Sequence, residues 1–207
     1  MVRIVSEKII QYKPEHKSLV KEFLKQARYE GSGGTYTQHK FDIDNLDSKS
    51  SLWLAIVNDE VASISYAERS FITGTPESIR KCRYHILKKH RHGRYGFKIM
   101  KHQIAWAKEN GFKHYYWTHD VKDKAINKLF QHKRTYMVGD NSWFDDKDYK
   151  KLTLETDLVF HDSPKSDMIQ FVYSYYIDPE YKWQPTDRVI WHKHNGVIDN
   201  VKEVLAV

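Results

Sequence analysis

Residues 90 to 111 read HRHGRYGFKIMKHQIAWAKENG, crowding Arg91, Gly93, Arg94 and Gly96 into a turn at the mouth of a helical pattern. The first N–H groups of a helix lack intrahelical partners and sit at the positive end of its dipole, so that end attracts anions, phosphate above all. Glycine lets backbone approach such a group closely, and arginine adds a charge that fits phosphate geometry. The chemistry indicated is recognition of a phosphate, as borne by nucleic acid, a nucleotide or coenzyme A.

The charge pattern points to the same place. Residues 80 to 101 hold nine Lys or Arg and no Asp or Glu, so this stretch carries +9 and the remainder of a +7 chain sums to −2. A solvated basic face is the common meaning of such a run. Here the run crosses a strand pattern, a glycine turn and a helix start, which a solvated face does not require. Two other constellations are weaker. Gly31, Gly33 and Gly34 have no strand before them and no Lys-Ser/Thr after them, so they read as a loop. His192 and His194 alternate as ligands on a strand face can, but no Cys, Asp or third His stands at a supporting spacing, and no metal site is expected.

The elements that must position the turn follow from periodicity. A first strand is expected near residues 3 to 10. Pro14 suits a helix's first turn, and Leu19, Val20, Phe23, Leu24 and Ala27 then form one apolar face. SLWLAIV and VASISYAE flank Asn58, Asp59 and Glu60 and read as a hairpin. A third strand is expected at about 80 to 88. The helix after the basic turn shows Phe97, Met100, Ile104 and Ala107 on one side, with Gly111 as its stop. KHYYWTH is a short aromatic strand, completing a strand, turn, helix, strand order. Asp120 and Asp123 open another helix with Ala125, Ile126, Leu129 and Phe130 along its stripe. KLTLETDLVF and MIQFVYSYYI form an antiparallel pair, and RVIWHKH is a candidate eighth strand.

Length and composition fit one globular domain with an appendage: 207 residues, 40% hydrophobic and 29% charged, with five prolines. No apolar run reaches the roughly 20 residues of a membrane span, and Glu7 and Lys8 interrupt the opening where a signal peptide stays apolar. No membrane partner is expected. The single cysteine, Cys82, agrees with a reducing compartment, and the expected location is cytoplasmic.

The order of elements, with Arg91, Arg94 and Gly96 at its centre, resembles the GNAT superfamily of acetyl-CoA-dependent N-acetyltransferases, and has the flavour of its small phage-encoded members. The family pattern Arg/Gln-x-x-Gly-x-Gly/Ala places Arg91 first and Gly96 last, with Arg94 at the middle glycine and Gly93 one place earlier. The motif-level likeness spans about 80 to 135, and the element order extends it from 1 to about 177. The resemblance implies an α/β (α+β) fold, with a mixed, mostly antiparallel central sheet of about seven strands flanked by helices. Residues 1–178 would form the acyltransferase domain, with 179–207 a C-terminal extension packed on it.

The resemblance also implies site roles. Backbone N–H groups from His92 through Gly93, Arg94 and Tyr95 to Gly96 would wrap the pyrophosphate of acetyl-CoA, with Arg91 and Arg94 beside it. The strand end at Ile86, Leu87 and Lys88 would hold the pantetheine arm. Asp123 stands near the family's Asn, and Phe130 where the family often has Tyr. Transfer to an amine needs a neutral nucleophile, an oxyanion donor and a proton route for the thiolate. His85 and Glu77 are the candidate bases. Tyr136 is the candidate substitute for the hydroxyl that Phe130 lacks, although a thiol of pKa near ~8.5 leaves tolerably without an acid.

The expected function is therefore N-acetylation of a primary amine by direct attack in a ternary complex. The alternatives are a basic nucleic-acid-binding module, which has Tyr84 and Tyr95 interleaved in its +9 segment but no known motif, and a GNAT-like fold that binds CoA without turnover. The partners are then acetyl-CoA and an amine, without nucleic acid, in a monomer or homodimer.

Overall fold

The computed structural model describes residues 6–30, 43, 44, 46, 50–69, 75–120, 156–161, 169–182 and 189–193. The further helix expected after Asp120, with its Asp123 and Phe130, as well as Gly31, Gly33, Gly34, Tyr136 and the tail beyond residue 193, lie outside them. Two compact units are present, one of Met1–Arg69 and Arg80–Asn110, the other of Ser70–Ile79 and Gly111–Val207.

The first unit holds strands β1 (Glu7–Gln11), β2 (Ser51–Val57) and β3 (Glu60–Glu68), most of β4 (Ser78–Ile86), and helices α1 (Lys17–Tyr29) and α2 (Tyr95–Glu109). Its strands run in the order β1-β2-β3-β4, each antiparallel to the next. Asn58 and Asp59 both take positive φ, 49° and 64°, which is what a tight two-residue hairpin turn demands. β3 is buried along almost all of its length because a helix covers each of its faces. On one side Val20, Phe23 and Ala27 of α1 pack with Leu52, Leu54, Ile64, Tyr66 and Leu87. On the other, Tyr95 and Ile99 of α2 pack with Ala55, Val57 and Ala62.

α2 buries Tyr95, Ile99, Met100, Gln103, Ile104 and Ala107, while Phe97 is only half-buried. The stripe therefore lies further round the helix than apolar periodicity places it. Gln103 explains the difference: it is buried, its Nε2 donates to Ser65 C=O at 3.1 Å and its Oε1 accepts from Ser65 Oγ at 3.0 Å. A polar side chain with both ends bonded belongs in a core as well as an apolar one does. Gly111 follows the helix at φ 78°, the left-handed conformation expected of its stop.

The second unit contains β5 (His114–Asp120), β6 (Thr156–His161), β7 (Ile169–Tyr176) and β8 (Val189–Lys193) in the order β5-β7-β6-β8, all antiparallel. Within RVIWHKH, Val189–Lys193 does form an eighth strand, beside β6. Tyr115, Tyr116, Trp117 and Tyr173 are buried in this unit. His114 is also fully buried, its ring stacked at 5.1 Å on both Tyr116 and Tyr176, with Nδ1 3.0 Å from Ser78 Oγ. Burial pushes its pKa down to about 3. Among the described residues no helix is long and apolar enough to cross a membrane.

Candidate active site

β4 delivers the chain to the basic turn, and a bulge in it decides which side chains arrive with it. Ile64 pairs with His85 and Tyr66 with Cys82, so Arg83 and Tyr84 together oppose Ser65 alone. The extra residue reverses the alternation. Cys82 packs on the α1 side of the sheet, whereas Ile86 packs on the α2 side and Tyr84 meets the start of α2. His85 and Leu87 return to the α1 side, where Phe23 stands edge-on to the imidazole at 5.7 Å.

Past Ile86, Leu87 N–H donates to Ala62 C=O at 3.0 Å, and a 3-10 turn spans Lys88–Gly93. Arg94 follows at φ 56°, ψ 24° and α2 begins at Tyr95. A right-handed residue followed by a left-handed one turns successive N–H groups toward the same side, the geometry of a backbone anion nest. Arg94 stands where the pattern it was compared with has its middle glycine, and its conformation there is one that glycine adopts without strain. Arg91 and Arg94 are both exposed.

The two glycines of the turn are also required from within. A Cβ on Gly93 would overlap the buried ring of Tyr95. A Cβ on Gly96 would lie 2.6 Å from Tyr84 Oη. That hydroxyl meets Ser63 Oγ and accepts from Gly96 N–H, and Ser63 Oγ donates to His85 C=O at 2.8 Å. Burial raises the Tyr84 pKa against the opposing pull of Ser63, Gly96 N–H and Arg91. One N–H expected to face phosphate is thus engaged by a tyrosine of β4.

Three carboxylates tie the turn to its surroundings. Glu30, directly after α1, takes Lys88 N–H on both oxygens at 2.9 and 3.2 Å. Glu60, at the hairpin, meets Lys89 Nζ at 2.5 Å and His90 Nε2 at 3.6 Å. Burial raises its pKa, but Lys89, Gln26 and His90 outweigh that and leave it lowered. Glu7 of β1 pairs with Lys98 at 2.6 Å. Lys81 lies in the interior with Nζ 4.5 Å from the Tyr84 ring centre, and burial brings its pKa down to about 8. Lys81 is withdrawn from the surface, and Lys89 and Lys98, though exposed, are each paired with a carboxylate, which makes the +9 stretch a weaker electrostatic footprint than its composition suggests.

The first unit brings together His85, Ile86, Leu87, Lys88, Arg91, Arg94, Tyr95 and the backbone of His92, Gly93 and Gly96. Glu77 belongs to the second unit, where its C=O accepts from Lys113 N–H at 2.9 Å. His85 is nearly buried, and its Nε2 is 4.0 Å from Glu30 Oε2. Burial lowers its pKa, Glu30 opposes that and Arg91 adds to it. Glu30, Ser63 and Tyr84 are residues that reading the sequence did not place at the site. Glu30 lies 58 positions from Lys88, and no local pattern connects them.

Comparison with solved structures decides the fold. A GNAT-family acetyltransferase of Streptococcus pneumoniae superposes with TM-score 0.55 at 12% identity, over 83% of this chain and 99% of that one. The chain has the GNAT acetyltransferase fold. The aminoglycoside 6'-N-acetyltransferase of Enterococcus faecium shares this GNAT fold at TM-score 0.54 and 12% identity, over 84% and 99% of the two chains. The ribosomal-protein-S18-alanine N-acetyltransferase of Escherichia coli does so at 0.51 and 7%, over 86% and 100%. No family model and no curated protein sequence matches the chain. The expected α/β class, with a largely antiparallel sheet flanked by helices, is thus the observed one.

Proposed function

We propose that this chain transfers an acetyl group from acetyl-CoA to a primary amine by direct attack in a ternary complex. The observation that carries the reading is the right-handed to left-handed step at Gly93 and Arg94, placed between β4 and α2 in a GNAT fold. The residues fit the cosubstrate in part: backbone from His92 to Tyr95 forms the phosphate cradle, the Gly96 N–H being held by Tyr84 Oη, Arg91 and Arg94 stand exposed beside it, and Ile86, Leu87 and Lys88 line the path of the pantetheine arm. The GNAT resemblance assigns Asp123 and Phe130 to the cofactor side as well. The names of two fold neighbours put their acetyl group on nitrogen, which supports a nitrogen acceptor here.

His85 serves as base, with Glu77 as the second candidate, and Tyr136 protonates the departing thiolate. A buried imidazole with a lowered pKa is neutral at pH 7 and able to accept a proton. Residues 1–178 form the acyltransferase domain and 179–207 its C-terminal extension, in a cytoplasmic monomer or homodimer.

The test is a melting experiment. A ligand at a hundredfold excess over Kd stabilises the fold by about 2.7 kcal/mol, a shift of about 5 °C or more for a chain of this size. Acetyl-CoA at sub-millimolar concentration gives that shift and keeps it at 200 mM salt, because backbone N–H groups hold the pyrophosphate. Binding to nucleic acid through six or more phosphates instead falls by about a thousandfold or more between 50 and 200 mM salt. No shift with acetyl-CoA, together with tight DNA or RNA binding at 200 mM salt, replaces this reading with the nucleic-acid one.

A further inference from the structure

Glu30 stands where helix electrostatics disfavour it. It follows the last turn of α1, its N–H bonded to Gln26 C=O at 3.0 Å, so its carboxylate faces the negative end of the helix dipole. Its surroundings compensate. Both oxygens take Lys88 N–H, at the second residue beyond β4, and Oε2 points to His85 Nε2 at 4.0 Å. The side chains are 18% and 11% exposed, so their mutual field is poorly screened by water. Phe23 of α1 closes the imidazole's other flank.

At 4.0 Å the two groups form no hydrogen bond with a neutral imidazole, yet they attract strongly once the imidazole is charged. We propose that Glu30 is a positioning residue for His85, fixed in place by Lys88 N–H and stabilising the imidazolium that forms when His85 takes a proton from the acceptor. This rests on the acetyltransferase reading above. The acceptor ammonium gives one proton to His85. The freed nitrogen lone pair then forms the C–N bond to the thioester carbonyl, and the C–S bond breaks with its electron pair leaving on sulfur. Tyr136 protonates the thiolate and is restored by the proton lost from the new amide nitrogen, and His85 returns its own proton to solvent. Among the described residues, the charged groups facing His85 include Glu30, directly after α1, and Arg91 from the turn, and these two act in opposite directions.

Glu30→Gln keeps an oxygen for Lys88 N–H and removes the charge, so it tests the inference in the full chain without unlatching the turn. Turnover is followed as thiol release from acetyl-CoA with spermidine, an aminoglycoside and a lysine peptide, taking the best acceptor forward. Expected are an unchanged KM for acetyl-CoA, a fall in kcat/KM of about tenfold against a hundredfold or more for His85→Gln, and an acid limb displaced to lower pH. The His85 imidazole, followed by NMR in the same variant, titrates at lower pH than in the parent. Glu30→Ala, which also removes the acceptor for Lys88 N–H, melts at lower temperature than Glu30→Gln. A parent inert toward all three amines overturns the acetyltransferase reading itself. An active parent whose Glu30→Gln variant has the same His85 titration and pH profile overturns only the role of Glu30.

Discussion

Tyr84 Oη lies 2.6 Å from the point where a Cβ on Gly96 would stand, so the residue opening the second helical position is set by a tyrosine on the neighbouring strand. Gly96→Ala must displace that ring or shift the helix, at a cost of about 1–3 kcal/mol. In a Tyr84→Ala background the obstacle is gone, and the added cost of Gly96→Ala shrinks by more than about 0.5 kcal/mol. Denaturant unfolding of the four proteins measures this coupling. Strict additivity would mean that ring and helix do not meet in solution.

Arg94 holds a left-handed backbone that costs an L-residue about 1–2 kcal/mol relative to glycine. Arg94→Gly relieves this while increasing the freedom of the unfolded chain, for a net gain of up to about 1 kcal/mol. Arg94→Val, β-branched at the same φ, loses stability instead. Melting temperatures in the order Gly, Arg, Val are expected. A valine variant as stable as the parent would show that the left-handed step is not maintained.

His114 makes the second unit sensitive to acid. Its folded pKa is about 3, below the ~6.5 of an unfolded histidine, so between those values the unfolded chain binds the extra proton. The stability it allows is complete above pH 6.5 and declines as pH falls toward 3, by roughly 3–5 kcal/mol in all. His114→Phe keeps the ring between Tyr116 and Tyr176 and abolishes the titration. Urea unfolding from pH 7 to pH 4 then shows a shallower loss in the variant. Parallel pH curves would assign the acid sensitivity elsewhere.

Local pattern by itself determined the elements. The hairpin around Asn58 and Asp59, the helix after the basic turn, its stop at Gly111, and the strands at 156–161 and 169–176 all follow from side-chain period and turn chemistry, which act over a few residues. The glycine-bearing basic turn on which the proposed phosphate cradle rests was legible for the same reason, since glycine, arginine and a helix start lie within six positions. Tertiary structure decided which side chains face that turn. Alternation puts Cys82, Tyr84 and Ile86 on one face, but a bulge opposite Ser65 moves Tyr84 and Ile86 to the α2 side and leaves His85 with Phe23 and Glu30. A single added residue reverses every later side chain, and it arises from pairing with β3 rather than from anything local to β4. The carboxylates on Lys88, Lys89 and Lys98 come from Glu30, Glu60 and Glu7, at least 29 positions away, and only folding places them there.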